Sequence, residues 1–210
     1  MKIPKYCRLM AFALIIFGTC ETTGLSLFSQ GEPRVNWNEV LAAYDRFLAY
    51  PSPEKAGALA RLLPKGTPES ARIVDDEARA LDHFVSSENF GILAIEAEFG
   101  NRGAIVVLLR LLNFADGLGA EYISAALGNV VRSKPKLFLE IMKENGGALA
   151  IKQLGPRIAF PQYAYNNHPG AHKYDLVKRH EAVASVTEPE LAETREACLE
   201  LLAEELKKLR

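Results

Sequence analysis

One apolar stretch decides the fold: RGAIVVLLRLLNF, which runs from Arg102 to Phe114. Such a run is found in buried β-strands and also in helices that are covered on most sides. Strands in globular proteins are usually shorter than this run, and Arg102 and Arg110 bracket its apolar part. We therefore predict a buried helix here and, with it, an all-α fold.

The sequence on both sides of this stretch carries frequent helix signals. Asn36-Trp37-Asn38-Glu39 is a capping-box pattern, and Pro53 and Pro135 are predicted first residues of helices. Gly155-Pro156 is predicted to end a helix at Leu154. No segment alternates between apolar and polar residues over a sustained length, so strands are predicted to be absent or minor.

Further helices are predicted at both ends of the domain. One shows apolar residues at spacings of three and four: Ala71, Val74, Ala78, Leu81 and Val85. Asp175 is predicted to cap a helix that ends near Val186. Thr187-Glu188-Pro189-Glu190 is a second capping-box pattern, and it precedes a last helix in which Cys198 lies on the apolar side.

Together these signals predict about ten helices in one domain, residues 36–210. The helices between Arg102 and Asn145 fall into successive pairs joined by short turns. This organisation resembles HEAT-like α-helical repeat proteins, in which each helix pair packs against the next. A short α-solenoid and an irregular bundle are equal alternatives at this point.

The N-terminus has the pattern of a secretory signal peptide. Three basic residues, Lys2, Lys5 and Arg8, precede an apolar run from Leu9 to Phe17, which small and polar residues follow. The run is shorter than the roughly 20 residues that a membrane-spanning helix needs. We predict a signal peptide over residues 1–20, a flexible tether over 21–35 and no transmembrane helix in the mature chain.

Phe17-Gly18-Thr19-Cys20 resembles the bacterial lipoprotein box. The resemblance implies that Cys20 is lipidated and becomes the first residue of the mature chain. The alternative is simple cleavage between Cys20 and about Ser29 without a lipid. The expected location is therefore outside the cytoplasm, either periplasmic or membrane-tethered as a lipoprotein.

Charge is distributed unevenly along the chain. Residues 21–131 carry nine basic and 15 acidic side chains (net −6), whereas residues 132–180 carry nine and three (net +6). Residues 181–210 carry four and eight (net −4). A basic segment inside an acidic protein argues against nucleic-acid binding and is compatible with a local anion-binding surface.

The segment RIAFPQYAYNNHPGAHKYD, residues 157–175, is the candidate site because aromatic residues and histidines concentrate in a stretch that prolines and glycine interrupt. One interpretation is a ligand-binding surface for a glycan or an anionic lipid headgroup. Its predicted residues combine flat aromatic rings with positive charge: Arg157, Tyr163, Tyr165, Lys173, Tyr174 and Arg179.

A second interpretation is a zinc site formed by His168, His172, Asp175 and His180. The spacing from His168 to Asp175 resembles that of two zinc ligands in the zinc-dependent D-alanyl-D-alanine peptidases. Pro169-Gly170 is predicted to keep His168 and His172 from sharing a helix face. A third interpretation is structural: the aromatic residues fix a long loop against the last helices.

No sequence motif of a nucleophilic or phosphate-binding enzyme is present, such as Gly-x-Ser-x-Gly or a Walker loop. We therefore predict a non-enzymatic binding or scaffold protein of the cell envelope that needs no cofactor. The predicted partner is an envelope protein, a glycan or an anionic lipid headgroup. The alternative is a metal-dependent, zinc-containing hydrolase that acts on envelope material through the His-rich loop at 157–180.

Overall fold

The computed structural model describes residues 35–65, 75–159 and 168–209, and over these ranges the chain is all-α, with no strand. The ten helices of the described residues form an irregular bundle or short solenoid within Val35–Arg210. They are α1 (Trp37–Ala49), α2 (Pro53–Leu62), α3 (Asp75–Val85), α4 (Ser87–Glu98), α5 (Arg102–Leu112), α6 (Gly117–Ser133), α7 (Pro135–Glu144), α8 (Ala148–Ala159), α9 (Pro169–Ala184) and α10 (Ala192–Lys208). A single 3-10 turn, Pro189–Leu191, precedes α10.

The helix predicted over the deciding stretch is confirmed as α5. Asn101 caps its first turn, where the side-chain oxygen accepts a hydrogen bond from the backbone N–H of Ala104 at 3.3 Å. Most of α5 is buried, since seven of its eleven residues are in the core: Ala104, Ile105, Val107, Leu108, Leu109, Leu111 and Leu112. The strand alternative is therefore excluded, and α5 lies at the centre of the core.

Helices α2 and α5 approach each other very closely because Gly103 has no side chain. A Cβ on Gly103 would lie 2.5 Å from the backbone nitrogen of Gly57 and 2.7 Å from the carbonyl carbon of Ala56. Further along, Arg110 of α5 reaches the carbonyl of Leu63, just past the end of α2. The two helices thus run in the same direction.

Helices α4 and α6 are also parallel neighbours. The rings of Phe90 and Tyr122 lie 6.0 Å apart near their first turns, and Asn129 donates a hydrogen bond to Glu98 at 2.6 Å near their last turns. Contacts at both ends of the pair thus show that α4 and α6 run in the same direction.

Several predicted helix ends are confirmed. The side chains of Asn36 and Ser52 each accept a backbone hydrogen bond at 3.3 Å, and Pro135 is the first residue of α7. Gly146 follows α7 with φ of 119°, a conformation that favours glycine over other residues.

Two predicted helix boundaries are wrong. Helix α8 continues through Gly155-Pro156 to Ala159, because Gly155 leaves room for the side chain of Leu201 on α10 and packing outweighs the missing N–H of the proline. Helix α9 begins at Pro169 rather than at Asp175. A proline is well suited to the first position of a helix, where its absent N–H costs no hydrogen bond.

Two further local predictions are wrong. Thr187–Glu190 does not form a capping box, because the backbone N–H of Thr187 donates to the carboxylate of Glu188 at 3.1 Å rather than to that of Glu190. Ala78 is exposed, whereas Ala80 and Phe84 lie in the core.

The predictions for the N-terminus stay predictions. The signal peptide 1–20, Cys20 and the tether up to residue 34 lie outside the described residues. Among the described helices, none has the length and apolar character to cross a membrane.

Candidate functional site

The structure does not bring the predicted ligand-binding residues to one exposed face. Tyr163 and Tyr165 lie outside the described residues. Lys173 and Tyr174 are exposed on α9, with 62% of Tyr174 accessible. The ammonium of Lys178 lies 5.6 Å from the centre of the Tyr174 ring, a cation–π contact at the surface.

Arg179 points into the core and is not available to a surface ligand. Its guanidinium forms an ion pair with Asp175, one turn earlier on α9, and donates a hydrogen bond to the carbonyl of Ile158 at 3.0 Å. Gly128 of α6 makes room for it, because a Cβ at that position would overlap the guanidinium carbon. Only 1% of Arg179 is exposed.

Arg157 also has a structural role. Its guanidinium donates hydrogen bonds to the carbonyls of Leu112 and Ala115, where α5 ends. Partial burial lowers the pKa of Arg157, and the charge of Asp116 opposes that effect. An arginine remains charged under these conditions, so the contact is a charge-assisted cap.

The same arrangement occurs at two more helix ends. Arg110 donates to the carbonyls of Ala60 and Leu63 after α2, and Arg195 donates to the carbonyl of Val186 at 2.8 Å after α9. The last carbonyls of a helix have no partner within it and carry partial negative charge, so a guanidinium from another helix stabilises them. Two of the residues predicted to bind a ligand thus belong to a set of structural arginines.

The four residues of the predicted zinc site lie at the start and middle of α9. His168 is exposed before the first turn, His172 is buried and His180 is half-buried. Asp175 is held by Arg179 and by Arg132, whose nitrogen lies 3.3 Å from its carboxylate.

His168 precedes the first turn of α9 and is exposed, whereas His172 lies within the helix and is buried, so the two rings have different surroundings. In the part of the chain that the structure describes, no three histidine, cysteine or acidic side chains are grouped as ligands of one metal ion. Zinc binding stays a prediction.

Cys198 is a buried apolar contact, as predicted. Burial raises the pKa of its thiol to about 12, so the nucleophilic thiolate is not formed near neutral pH. A cavity of about 10 Å³ lies beside it, next to Arg179 and Gly155. That volume suits a single water molecule and no larger ligand.

A different candidate, which the sequence did not single out, is the set of exposed and half-exposed apolar side chains on the neighbouring helices α4 and α6. We call it the α4–α6 face. It consists of Ile92, Ile95 and Phe99 on and just after α4, and Leu118 and Tyr122 on α6. Exposure reaches 54% at Ile95, 82% at Phe99 and 57% at Leu118.

The α4 side of this face arises because the helix carries apolar residues on two opposite sides. Leu93 and Ala97 point into the core, while Ile92, Ile95 and Phe99 follow each other at spacings of three and four on the opposite side. On that second side Ile95 and Phe99 are more than half exposed, and an exposed apolar area typically marks a contact surface.

No family model, no curated protein and no solved structure matches the chain. The function is therefore argued from the geometry of the described residues.

Proposed function

We propose that this chain is a non-enzymatic binding or scaffold protein of the cell envelope and that the α4–α6 face is its contact surface. The observation that carries the proposal is the open apolar side of α4, on which Ile95 and Phe99 are more than half exposed. Burying two such side chains against a partner would contribute favourable free energy in proportion to the apolar area removed from water.

Two further observations support a binding role. Arg157 and Arg179, which carry much of the charge of the candidate loop, cap helix ends and leave Lys173 and Tyr174 as its exposed described members. Cys198 is buried with a raised thiol pKa and does not offer a nucleophile. The envelope location rests on the signal-peptide pattern of residues 1–20.

The test is site-specific photo-crosslinking in cells that express the protein. A photoreactive phenylalanine analogue replaces Phe99 in one variant and Leu149 of α8, which is 62% exposed, in a matched control. We expect a defined envelope protein to be crosslinked from position 99 and not from position 149. The proposal fails if position 99 gives no crosslink, or if both positions give the same set of proteins.

A further inference from the structure

The α4–α6 face lies in a part of the chain that has acidic side chains and no lysine or arginine. Residues 80–101 and 111–131, which include all of α4 and most of α6, contain neither lysine nor arginine. They contain six acidic residues: Asp82, Glu88, Glu96, Glu98, Asp116 and Glu121. These two segments therefore carry a net negative charge.

The acidic residues of α4 border the apolar ones directly. Glu88 is exposed and lies one turn before Ile92 on the same side of the helix, and Glu96 is the neighbour of Ile95. The carboxylate of Glu96 accepts a hydrogen bond from the amide of Asn101 at 2.9 Å.

Their charge is not neutralised by cations. Glu98, like Glu96, bonds to a neutral amide, that of Asn129. Among the described residues, no lysine or arginine forms an ion pair with Glu88, Glu96 or Glu98.

Four arginines adjoin these two segments in sequence: Arg79, Arg102, Arg110 and Arg132. Arg102 forms ion pairs with Glu140 and Glu144 of α7, Arg110 caps the end of α2, and Arg132 forms an ion pair with Asp175 of α9. Lys134 is exposed, and its side-chain carbons lie within 3.9 Å of the Cβ position of Gly100, beside Phe99. Three glutamates of α4 thus stand against one lysine, and at moderate ionic strength the field of this net negative charge acts over roughly 10 Å.

This charge selects among the classes of partner that an apolar face could bind. An anionic membrane surface would be repelled by the acidic residues. A second copy of the chain would bring the same acidic face against itself in a two-fold dimer, and like charges would again repel. A partner that carries apolar side chains flanked by lysine or arginine would match both the apolar side chains and the acidic residues of the face.

We infer that the α4–α6 face binds a basic amphipathic helix of a partner protein, an inference that rests on the proposed binding function. The apolar side of the partner helix covers Ile95 and Phe99, and its basic residues meet the glutamates of α4. An open position at Gly91, where a Cβ would have no neighbour within 4 Å, leaves space for a partner side chain beside Ile95.

The test measures binding of synthetic peptides to the purified full chain by fluorescence anisotropy. The probe is a helix-forming peptide of about 18 residues, with leucines at the helical spacing of an anchor face and lysines elsewhere. A matched peptide has glutamate in place of every lysine. We expect the Leu/Lys peptide to bind, the Leu/Glu peptide not to bind, and added salt to weaken the binding.

Variants locate the binding on the face. Ile95→Ser with Phe99→Ser should weaken the Leu/Lys peptide about tenfold or more, because both apolar anchors are removed. Leu149→Ser with Tyr50→Ser removes comparably exposed apolar side chains elsewhere and should change nothing. Glu88→Lys should weaken binding, whereas Glu200→Lys on an exposed position of α10 should not.

Four results would overturn the inference. They are equal binding of the two peptides, unchanged binding in the Ile95/Phe99 double variant, self-association that this variant abolishes, and binding to anionic phosphatidylglycerol vesicles that it abolishes. A crosslinked envelope protein at position 99 together with failure of the Leu/Lys peptide would retain the binding function and reject the basic partner. If neither the crosslinking experiment nor the peptide experiment shows binding, both the binding function and the basic partner are rejected.

Discussion

At the scale of single residues, the buried ion pair of Arg179 and Asp175 is the most demanding feature of the core. Two charged groups are removed from water there, which costs free energy unless the remaining donors and acceptors are satisfied. The carbonyl of Ile158 and the guanidinium of Arg132 provide such partners, whereas Nε of Arg179 is buried with no hydrogen-bond partner among the described residues. The absence of a side chain at Gly128 then provides the space for the guanidinium.

Gly128→Ala is therefore expected to destabilise the protein. The added methyl group overlaps the guanidinium of Arg179, and overpacking of this kind typically costs about 1–3 kcal/mol. The free energy of unfolding, measured by urea denaturation, should fall by that amount.

Gly91→Ala is the matched control for this variant. It places a methyl group in open space inside α4 and should raise the free energy of unfolding by roughly 0.5–1 kcal/mol. Equal stability of the two variants would contradict the close approach at Gly128.

The raised thiol pKa of Cys198 predicts a pH dependence of stability. In the unfolded chain the thiol ionises near its ordinary value of 9.0, whereas burial holds the pKa near 12 in the folded protein. The folded state thus retains a proton that the unfolded state loses. The contribution of the protonated thiol to the free energy of unfolding is complete below pH 9. It declines as the pH rises toward 12, by up to about 1.4 kcal/mol per pH unit.

Urea denaturation at several alkaline pH values can test this for the wild type and for Cys198→Ala. The variant should be less stable by a constant amount below pH 9 and should show a shallower decline above it. Parallel curves for the two proteins would show that the thiol is not buried as described.

At the scale of elements, helix ends are joined to distant helices by arginines. Arg157 lies 45 residues from Leu112 in sequence, and Arg110 lies 47 residues from Leu63. Each contact fixes the end of one helix to the side of another, so the set contributes to how the helices are arranged.

Arg157→Met tests whether this residue is a cap or a ligand-binding residue. Loss of two charge-assisted hydrogen bonds should lower the free energy of unfolding by about 2 kcal/mol. The control is Arg61→Met on an exposed position of α2, which should change stability by less than about 0.5 kcal/mol. Unchanged stability of Arg157→Met, with loss of glycan or phosphate binding, would restore the ligand-binding interpretation.

The arginines also show how far the sequence could predict this protein. Helix α5 and the caps at Asn36 and Ser52 are predictable, because apolar runs and capping residues act within a few positions of the chain. Pro169-Gly170 was misinterpreted because the same residues interrupt a helix in its interior and start one at its N-terminus.

The roles of Arg157 and Arg179 were not predictable, because their acceptors lie 45 and 21 residues away. The α4–α6 face was missed for a related reason. The sequence shows that α4 carries apolar residues on two opposite sides, but only the packing of α4 against its neighbours determines that Ile95 and Phe99 are left uncovered.

At the scale of the whole molecule, the exposed apolar side chains and the basic residues lie in different sections of the chain. The acidic section from residue 80 to residue 131 carries the open apolar face, and the basic section from residue 132 to residue 180 carries much of its charge in ion pairs and helix caps. A positive segment in the sequence is thus no guide to an anion-binding surface in this fold.

The last prediction concerns the mature form that presents this face. Residues 1–20 have the charged start and short apolar run of a signal peptide, so the chain should be cut when it is expressed in a bacterial host with its own N-terminus. Intact mass spectrometry distinguishes the two forms of cleavage. A chain that starts at Cys20 and carries a diacylglyceryl group and an acyl chain is a lipoprotein, held at a membrane where its partner would also reside. A chain that starts between Glu21 and Gln30 without a lipid is a free exported domain. An uncut chain that starts at Met1 would contradict export, and the partner of the α4–α6 face would then have to be sought inside the cell.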